Sequence, residues 1–229
     1  MASPSSYVQR QGMAIDRVIR SEILDHLPSD DARALRARRD LRTINALMGN
    51  LRWIRKTVGW LMNKPGVPST LRLVELGAGD GRLCGKFRNW FPTAEITGMD
   101  LAPRPPDLPA DISWRQGDLV ANLSECEGNC LCGVMILHHF RNEQLATIGR
   151  VASRYRMLCF CEPWRARFPH VLGVLARPFC GTVTRYDLPA SIDAGFVLGE
   201  LPQALGLRNW KIAESIDWRG SLRLRAWKE

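Results

Sequence analysis

Nine residues, VELGAGDGR at positions 74–82, constrain this chain more than any other stretch. Gly77, Gly79 and Gly81 alternate behind a short apolar run, LRLVEL (71–76), and ahead of a helix-like run, residues 82–91. Glycine has no Cβ, so its backbone turns sharply and lets another group approach its amides. A buried strand that ends in such a turn and continues as a helix opens a βαβ unit.

The chain keeps that rhythm further on. EITGMD (95–100), ISWRQGD (112–118), LCGVMIL (131–137) and RMLCFCE (156–162) are strand-like, and RPPDLP (104–109) is a loop. Residues 141–154 and 165–177 are helix-like. Strands alternating with helices predict right-handed crossovers and a parallel sheet. Pro189 to Leu207 holds at least one further helix. WKIAESI (210–216) and SLRLRAW (221–227) flank a turn at Asp217 to Gly220 and predict a terminal antiparallel pair. No internal repeat interrupts the pattern.

Ahead of the glycine turn, residues 14–64 read as helical, with Asp30 or Ser29 capping a start after Pro28. Leu41, Ile44, Met48, Leu51, Ile54, Val58 and Leu61 recur every three or four positions and predict one apolar stripe. Gly49-Asn50 predicts a break into two helices, and Pro65-Gly66 with Pro68 ends the region. The expected organisation is a helical extension or lid over residues 1–66 and a main domain over 67–229.

At 229 residues, with 45% hydrophobic and 24% charged residues, the chain has the make-up of an ordinary globular protein. Disordered, collagen-like and coiled-coil chains are excluded on that ground. No apolar run reaches the roughly 18 residues of a membrane-spanning helix. The first ten residues, MASPSSYVQR, lack the apolar centre of a secretory signal and read as a short disordered start. A cytoplasmic protein with reduced thiols is the expectation.

Seven cysteines are present. Cys126, Cys130 and Cys132 cluster, but none shows zinc-ribbon spacing, and no histidine pair has finger spacing. No metal site is therefore expected. Cys159 and Cys161 fall on one side of a strand and read as small core residues. Lys and Arg number 32 against 23 Asp and Glu, a net +9. The basic residues are dispersed, which fits a solvated surface better than a nucleic-acid footprint. No aromatic base-stacking motif accompanies them.

Two acids follow the glycine turn at telling positions. Asp100 ends the second strand, and a carboxylate there can accept bonds from both hydroxyls of a ribose. Asp118 follows the third strand. It can accept from an adenine amino group while the amide of Leu119 meets a ring nitrogen. The glycine spacing is not that of a dinucleotide fingerprint. Glu75 and Asp80 put carboxylates where a pyrophosphate wants none. An acidic glycine turn suits a cationic ligand that carries an amino group and a sulfonium.

These residues resemble the class I S-adenosylmethionine-dependent methyltransferases. The matching parts are VELGAGDG, MDL (99–101), QGDL (116–119) and VMILHHF (134–140), and they span roughly residues 70 to 165. The resemblance implies an α/β fold: a Rossmann-like seven-stranded mixed sheet, its terminal strand antiparallel, with helices on both faces and an N-terminal helical extension. It implies S-adenosyl-L-methionine as cofactor. Gly77 and Gly79 would lie beneath the methionine portion, with Glu75 orienting it and Ala78 and Gly81 also cofactor-binding. Asp100 would hold the ribose, Leu101 pack on adenine, and Asp118 with Leu119 read the adenine edge.

Methyl transfer needs sulfur, methyl carbon and nucleophile in line, so positioning in a water-poor site should dominate. A general base helps an acceptor that arrives protonated. His138 and His139 follow the fourth strand at the ligand edge of the sheet and are the candidate bases. Glu162 ends the fifth strand and either orients the acceptor or pairs with an arginine. Arg165 and Arg185 are candidates for holding an acceptor anion. RRDLRTINALMGNLRWI (38–54) and VTRYDLPASIDAGF (183–196) are similar to small bacterial methyltransferases that accompany aromatic polyketide synthases. That similarity implies a small phenolic acceptor and transfer to oxygen. Ubiquinone- and menaquinone-type carbon methyltransferases are the nearest rival reading. A non-catalytic cofactor-binding partner and a nucleic-acid methyltransferase are further alternatives. The basic amphipathic region with Trp53 and Trp60 offers membrane-surface contact as another, and the oligomeric state is left open.

Overall fold

The computed structural model describes residues 16–28 and 30–228. The expected disordered start at residues 1–10, and Ser29 as a cap, lie outside them. Among the described residues seven strands form one sheet in the order β3-β2-β1-β4-β5-β7-β6. Strands β1 (Arg72–Leu76), β2 (Glu95–Asp100), β3 (Ser113–Gln116), β4 (Cys130–Val134) and β5 (Met157–Pro163) are mutually parallel. Strand β7 (Ser221–Trp227) runs antiparallel to β5 and pairs with β6 (Lys211–Asp217) as a hairpin. This is the Rossmann-like mixed sheet that the sequence predicts.

The order carries the functional geometry. From β1 the chain winds outward through β2 and β3, then returns to place β4 on the other side of β1. Ligands of open α/β sheets bind at such a reversal, beyond the carboxyl ends of the strands. The turns after β1 and β4 therefore meet. A Cβ at Gly77 would lie 2.6 Å from the Ile136 side chain.

Eight α-helices are described: α1 (Ala32–Met48), α2 (Asn50–Met62), α3 (Arg82–Trp90), α4 (Leu119–Asn122), α5 (Asn142–Ala152), α6 (Arg167–Ala176), α7 (Thr182–Ala194) and α8 (Glu200–Ala204). Helix α1 begins one residue later than the predicted caps allow. The Asp31 carboxylate, not Asp30, accepts the Arg33 N–H at 2.7 Å. The predicted break holds, because Gly49 takes a left-handed φ of 67° and both ends α1 and opens α2.

Two expectations for this region fail. Residues 16–28 are not helical apart from a single 3-10 turn, Leu24–His26. They run along α7 instead, satisfying their amides there. Nor do α1 and α2 share one stripe. Ile54, Val58 and Leu61 of α2 are fully buried on the sheet, while Leu41, Ile44 and Met48 of α1 are only partly covered. Each fully buried aliphatic side chain contributes about 1.5–3 kcal/mol relative to exposure. Helix α1 instead sets Ala34, Ala37 and Asp40 inward, and Asp40 accepts bonds from Gly181 N and Thr184 Oγ1 at the start of α7.

Trp53 packs beside α2's core face, and Trp60 meets Trp227 edge-on at 5.1 Å. The two residues offered as a membrane-surface contact thus also pack against the body of the protein. No helix among the described residues is long and apolar enough to cross a membrane. All seven cysteines are buried and free. Cys159 and Cys161 belong to the core beneath α2, as expected for small core residues, and Cys130 and Cys132 join them there.

Candidate active site

The glycine turn behaves as its alternation predicts. Gly77, Gly79 and Gly81 all have left-handed φ, 64°, 55° and 69°. Their environments differ. Ile136 fills the space beside Gly77 and Leu108 that beside Gly81, whereas nothing lies within 4 Å of a Cβ built at Gly79. Ala78, buried between them, donates its N–H to Met99 O at 2.9 Å and ties the turn to β2.

Asp100 lies against that turn. Its Oδ2 accepts the Gly79 N–H at 2.7 Å and its Oδ1 the Ala102 N–H at 2.9 Å. Each carboxylate oxygen keeps a lone pair for a further donor. Leu101 follows with 71% of its surface exposed, an apolar plate beside the turn. Asp118 is the N-cap of α4, accepting Ala121 N–H through Oδ1 at 2.8 Å, which leaves Oδ2 without a bond from the helix. The Leu119 side chain is buried in the core.

Glu75 points into the opposite core face, where it accepts the Cys84 thiol at 2.9 Å. Burial pushes its carboxyl up to about 8, so the group is largely protonated at neutral pH. The same burial, with Glu75 beside it, pushes the Cys84 thiol up. Asp80 forms an ion pair with Arg42 of α1 at 2.9 Å, bringing the extension onto the glycine turn.

Strand β4 stops at Val134, short of the predicted Leu137. Met135 takes a left-handed φ of 55°, and a 3-10 turn, Leu137–His139, follows. The cause sits on β5. Glu162 is fully buried, and its carboxylate accepts the N–H groups of Ile136, Leu137 and His138 at 3.2, 2.9 and 3.2 Å. It also meets His138 Nδ1 at 2.9 Å. Glu162 therefore holds the histidine turn and pairs with no arginine through these bonds.

His138 is buried, its Nε2 3.6 Å from Glu22 Oε1. Burial disfavours its charged form, but the carboxylates of Glu162 and Glu22 outweigh this and raise it to about 9. His139 is more open and lies 3.7 Å from Asp25 through Nδ1. Burial and the neighbouring His138 lower it below its ordinary value. The structure thus brings together His138, His139 and Glu162 at the switch point, across from the glycine turn.

Arg165 and Arg185 are not at this turn. Arg165 is buried and bonded to Glu200 at 2.8 and 3.2 Å. Arg185 donates to Arg177 O and Cys180 O. In both candidates the guanidinium donates to backbone carbonyls or to Glu200 rather than to the histidine turn.

Residues that the sequence did not single out complete the site. The strap at residues 16–27 crosses the histidine turn. Arg17 donates to His138 O, Phe140 O and Ala194 O at 3.1, 2.9 and 2.8 Å. Asp187 of α7 accepts Ile23 N–H and Leu24 N–H at 2.8 and 3.0 Å, and Ser191 Oγ reaches Glu22. The stretch 183–196 was marked by resemblance alone. For Glu22 no periodicity or motif gave a signal.

The fold is that of S-adenosylmethionine-dependent methyltransferases with a Rossmann-like sheet. No family model matches the chain, and no curated protein sequence matches it. Among solved structures, the plantazolicin methyltransferase BamL, in complex with a triazolic analog and SAH, is 11% identical over 90% of this chain and 92% of its own, with a TM-score of 0.68. Magnesium protoporphyrin IX methyltransferase from Synechocystis with bound SAH is 18% identical over 82% and 87%, TM-score 0.52. Human N-acetylserotonin methyltransferase in complex with SAM is 14% identical over 88% and 60%, TM-score 0.55.

Proposed function

We propose that this chain is an S-adenosyl-L-methionine-dependent methyltransferase acting on a small molecule, with the oxygen of a phenolic or polyketide-like acceptor as the methylated atom. The observation that carries this reading is the Gly79–Asp100 pair. An open left-handed glycine lies beside a carboxylate that both fixes the turn and retains lone pairs for a ligand. The likeness to structures that hold SAM or SAH supports it.

The residues fit that cofactor, which when bound supplies an electrophilic methyl on a positive sulfur. Gly77, Ala78, Gly79 and Gly81 would offer a backbone floor to the methionine portion. Asp100 would accept the ribose hydroxyls, exposed Leu101 would cover the adenine face, and Asp118 with the Leu119 amide would meet its edge. Glu75, protonated at rest, ionises readily beside a cationic ligand and lends it a counter-charge. His138 and His139 face the acceptor end. His139, the more open ring, takes the acceptor proton, while Glu162 holds the histidine turn in place. The described part of the extension acts as a lid, tied to the cofactor side by Arg42 on Asp80 and to the acceptor side by the strap.

The test is incubation of the full chain with labelled S-adenosylmethionine and a panel of phenols and quinols, read by mass spectrometry and product NMR. A product heavier by one methyl is expected, with the methyl on oxygen. A methyl on carbon would replace the phenolic reading by the quinone-type one. Cofactor binding with no transfer to any small molecule would leave a non-catalytic binding partner.

A further inference from the structure

We propose that Glu22, His138 and His139 bind a divalent first-row cation. One ligand atom from each lies within 4.8 Å of the others. Two further observations point from the cluster to an ion.

His138 Nε2 is buried and has no hydrogen-bond partner among the described residues. The carboxylate oxygen it faces, Glu22 Oε1, is 3.6 Å away, too far for a hydrogen bond. Two ligand atoms on one tetrahedral zinc ion, each bound at about 2.0–2.1 Å, stand roughly 3.3 Å apart. The observed gap is a few tenths of an ångström wider, so a small closure of the side chains would let the two atoms share an ion.

The other ring nitrogen is already engaged. His138 Nδ1 meets Glu162 at 2.9 Å, and three backbone N–H groups hold Glu162 in turn. Metal-binding imidazoles are ordinarily held in this way, by a carboxylate that fixes the tautomer and strengthens the free nitrogen as a ligand. Two imidazoles and one carboxylate select zinc or a similar borderline cation over magnesium or calcium, and leave a coordination position open.

The spacing rules that made a metal site unexpected apply to ligands close in sequence. These ligands come from the strap and from the turn after β4. The use of the ion rests on the methyltransferase reading. An acceptor hydroxyl bound at the open position would be oriented, and would release its proton to solvent more readily. The ion then replaces His139 as the group that activates the acceptor.

The test uses the full chain, stripped with a chelator and titrated with cobalt(II) and zinc(II). One equivalent of cobalt(II) is expected, with the intense visible absorption of a low-coordinate site, displaced by one equivalent of zinc(II). Glu22→Gln and His139→Ala should each weaken zinc binding by more than about 100-fold, beyond the roughly 10–100-fold expected of the supporting Glu162→Gln. Circular dichroism of His139→Ala, a partly exposed position, guards against loss of fold. S-adenosylhomocysteine affinity, measured separately, should be unmoved in both ligand variants. Absence of stoichiometric metal, or zinc binding undiminished in both variants, overturns the proposal and leaves His138 as a proton-bearing ring between two carboxylates. Metal binding without any affinity for S-adenosylhomocysteine would sink the methyltransferase reading and spare this one.

Discussion

His138 Nδ1 lies 2.9 Å from Glu162 Oε2, and both side chains are buried. One carboxylate thereby satisfies an imidazole and three amides. Removing it with Glu162→Ala strands them together, and breaking a buried charged pair costs about 3–5 kcal/mol. Glu162→Gln keeps one acceptor oxygen and should cost less. Urea unfolding of the two variants measures the difference, and equal stabilities would show that the carboxylate does not organise the turn.

Asp100→Ala should weaken S-adenosylhomocysteine binding by about 10- to 100-fold, since hydrogen bonds to a charged acceptor are worth about 1.5–3 kcal/mol. Isothermal titration decides it. Unchanged affinity would remove Asp100 from the ribose.

Gly77→Ala and Gly79→Ala separate folding from binding. Both force a left-handed φ on a residue with a Cβ, at roughly 1–2 kcal/mol. At Gly77 the new methyl also collides with Ile136, whereas at Gly79 it enters open space. Thermal melts should therefore show the larger loss for Gly77→Ala. Gly79→Ala should keep most of its stability and lose cofactor affinity.

Glu75 gives a pH signature. Burial raises its carboxyl from an ordinary 4.5 to about 8, so between those values the folded chain holds a proton that the unfolded chain releases. Stability should then fall as pH rises through that window, by up to about 1.4 kcal/mol per pH unit. Glu75→Gln should flatten the profile in denaturant titrations from pH 5 to 9. Identical slopes for both proteins would contradict the assignment. Binding of a cationic ligand at neutral pH should also release a proton, seen as buffer-dependent binding heats.

Asp187→Ala removes the acceptor of two strap amides. Trypsin should cut after Arg20 much faster in that variant, while the sheet domain's unfolding midpoint moves little. Equal cleavage rates would show that the strap is held elsewhere.

The sheet was legible because its cues are local. The alternating glycines predict a sharp turn between strand and helix, the apolar runs predict five parallel strands, and Asp217 to Gly220 predicts the hairpin. Misreadings arose where a distant partner decides. Strand β4 reads as running to Leu137, but Glu162, on another strand, draws the amides of residues 136–138 into a turn. Residues 16–28 read as part of the helical region, yet Asp187 and Ser191 offer their polar groups better bonds than a free helix would. Arg165 reads as a candidate for an acceptor anion until Glu200 is found beside it. The acids near the cofactor position follow strand ends and could be named from sequence. The groups around His138 converge from residues 22, 25 and 162, a convergence without linear trace.

The strap has a practical consequence. The residues proposed for the cofactor lie on the sheet and the turns after its strands, whereas the proposed acceptor end adds Glu22 from a segment that precedes the first helix. A protein trimmed to begin at Ala32 would keep the proposed nucleoside cradle and both histidines, and lose Glu22, Asp25 and Arg17 from around them. Nucleoside binding and the contribution of the strap could then be measured apart with a single shortened clone.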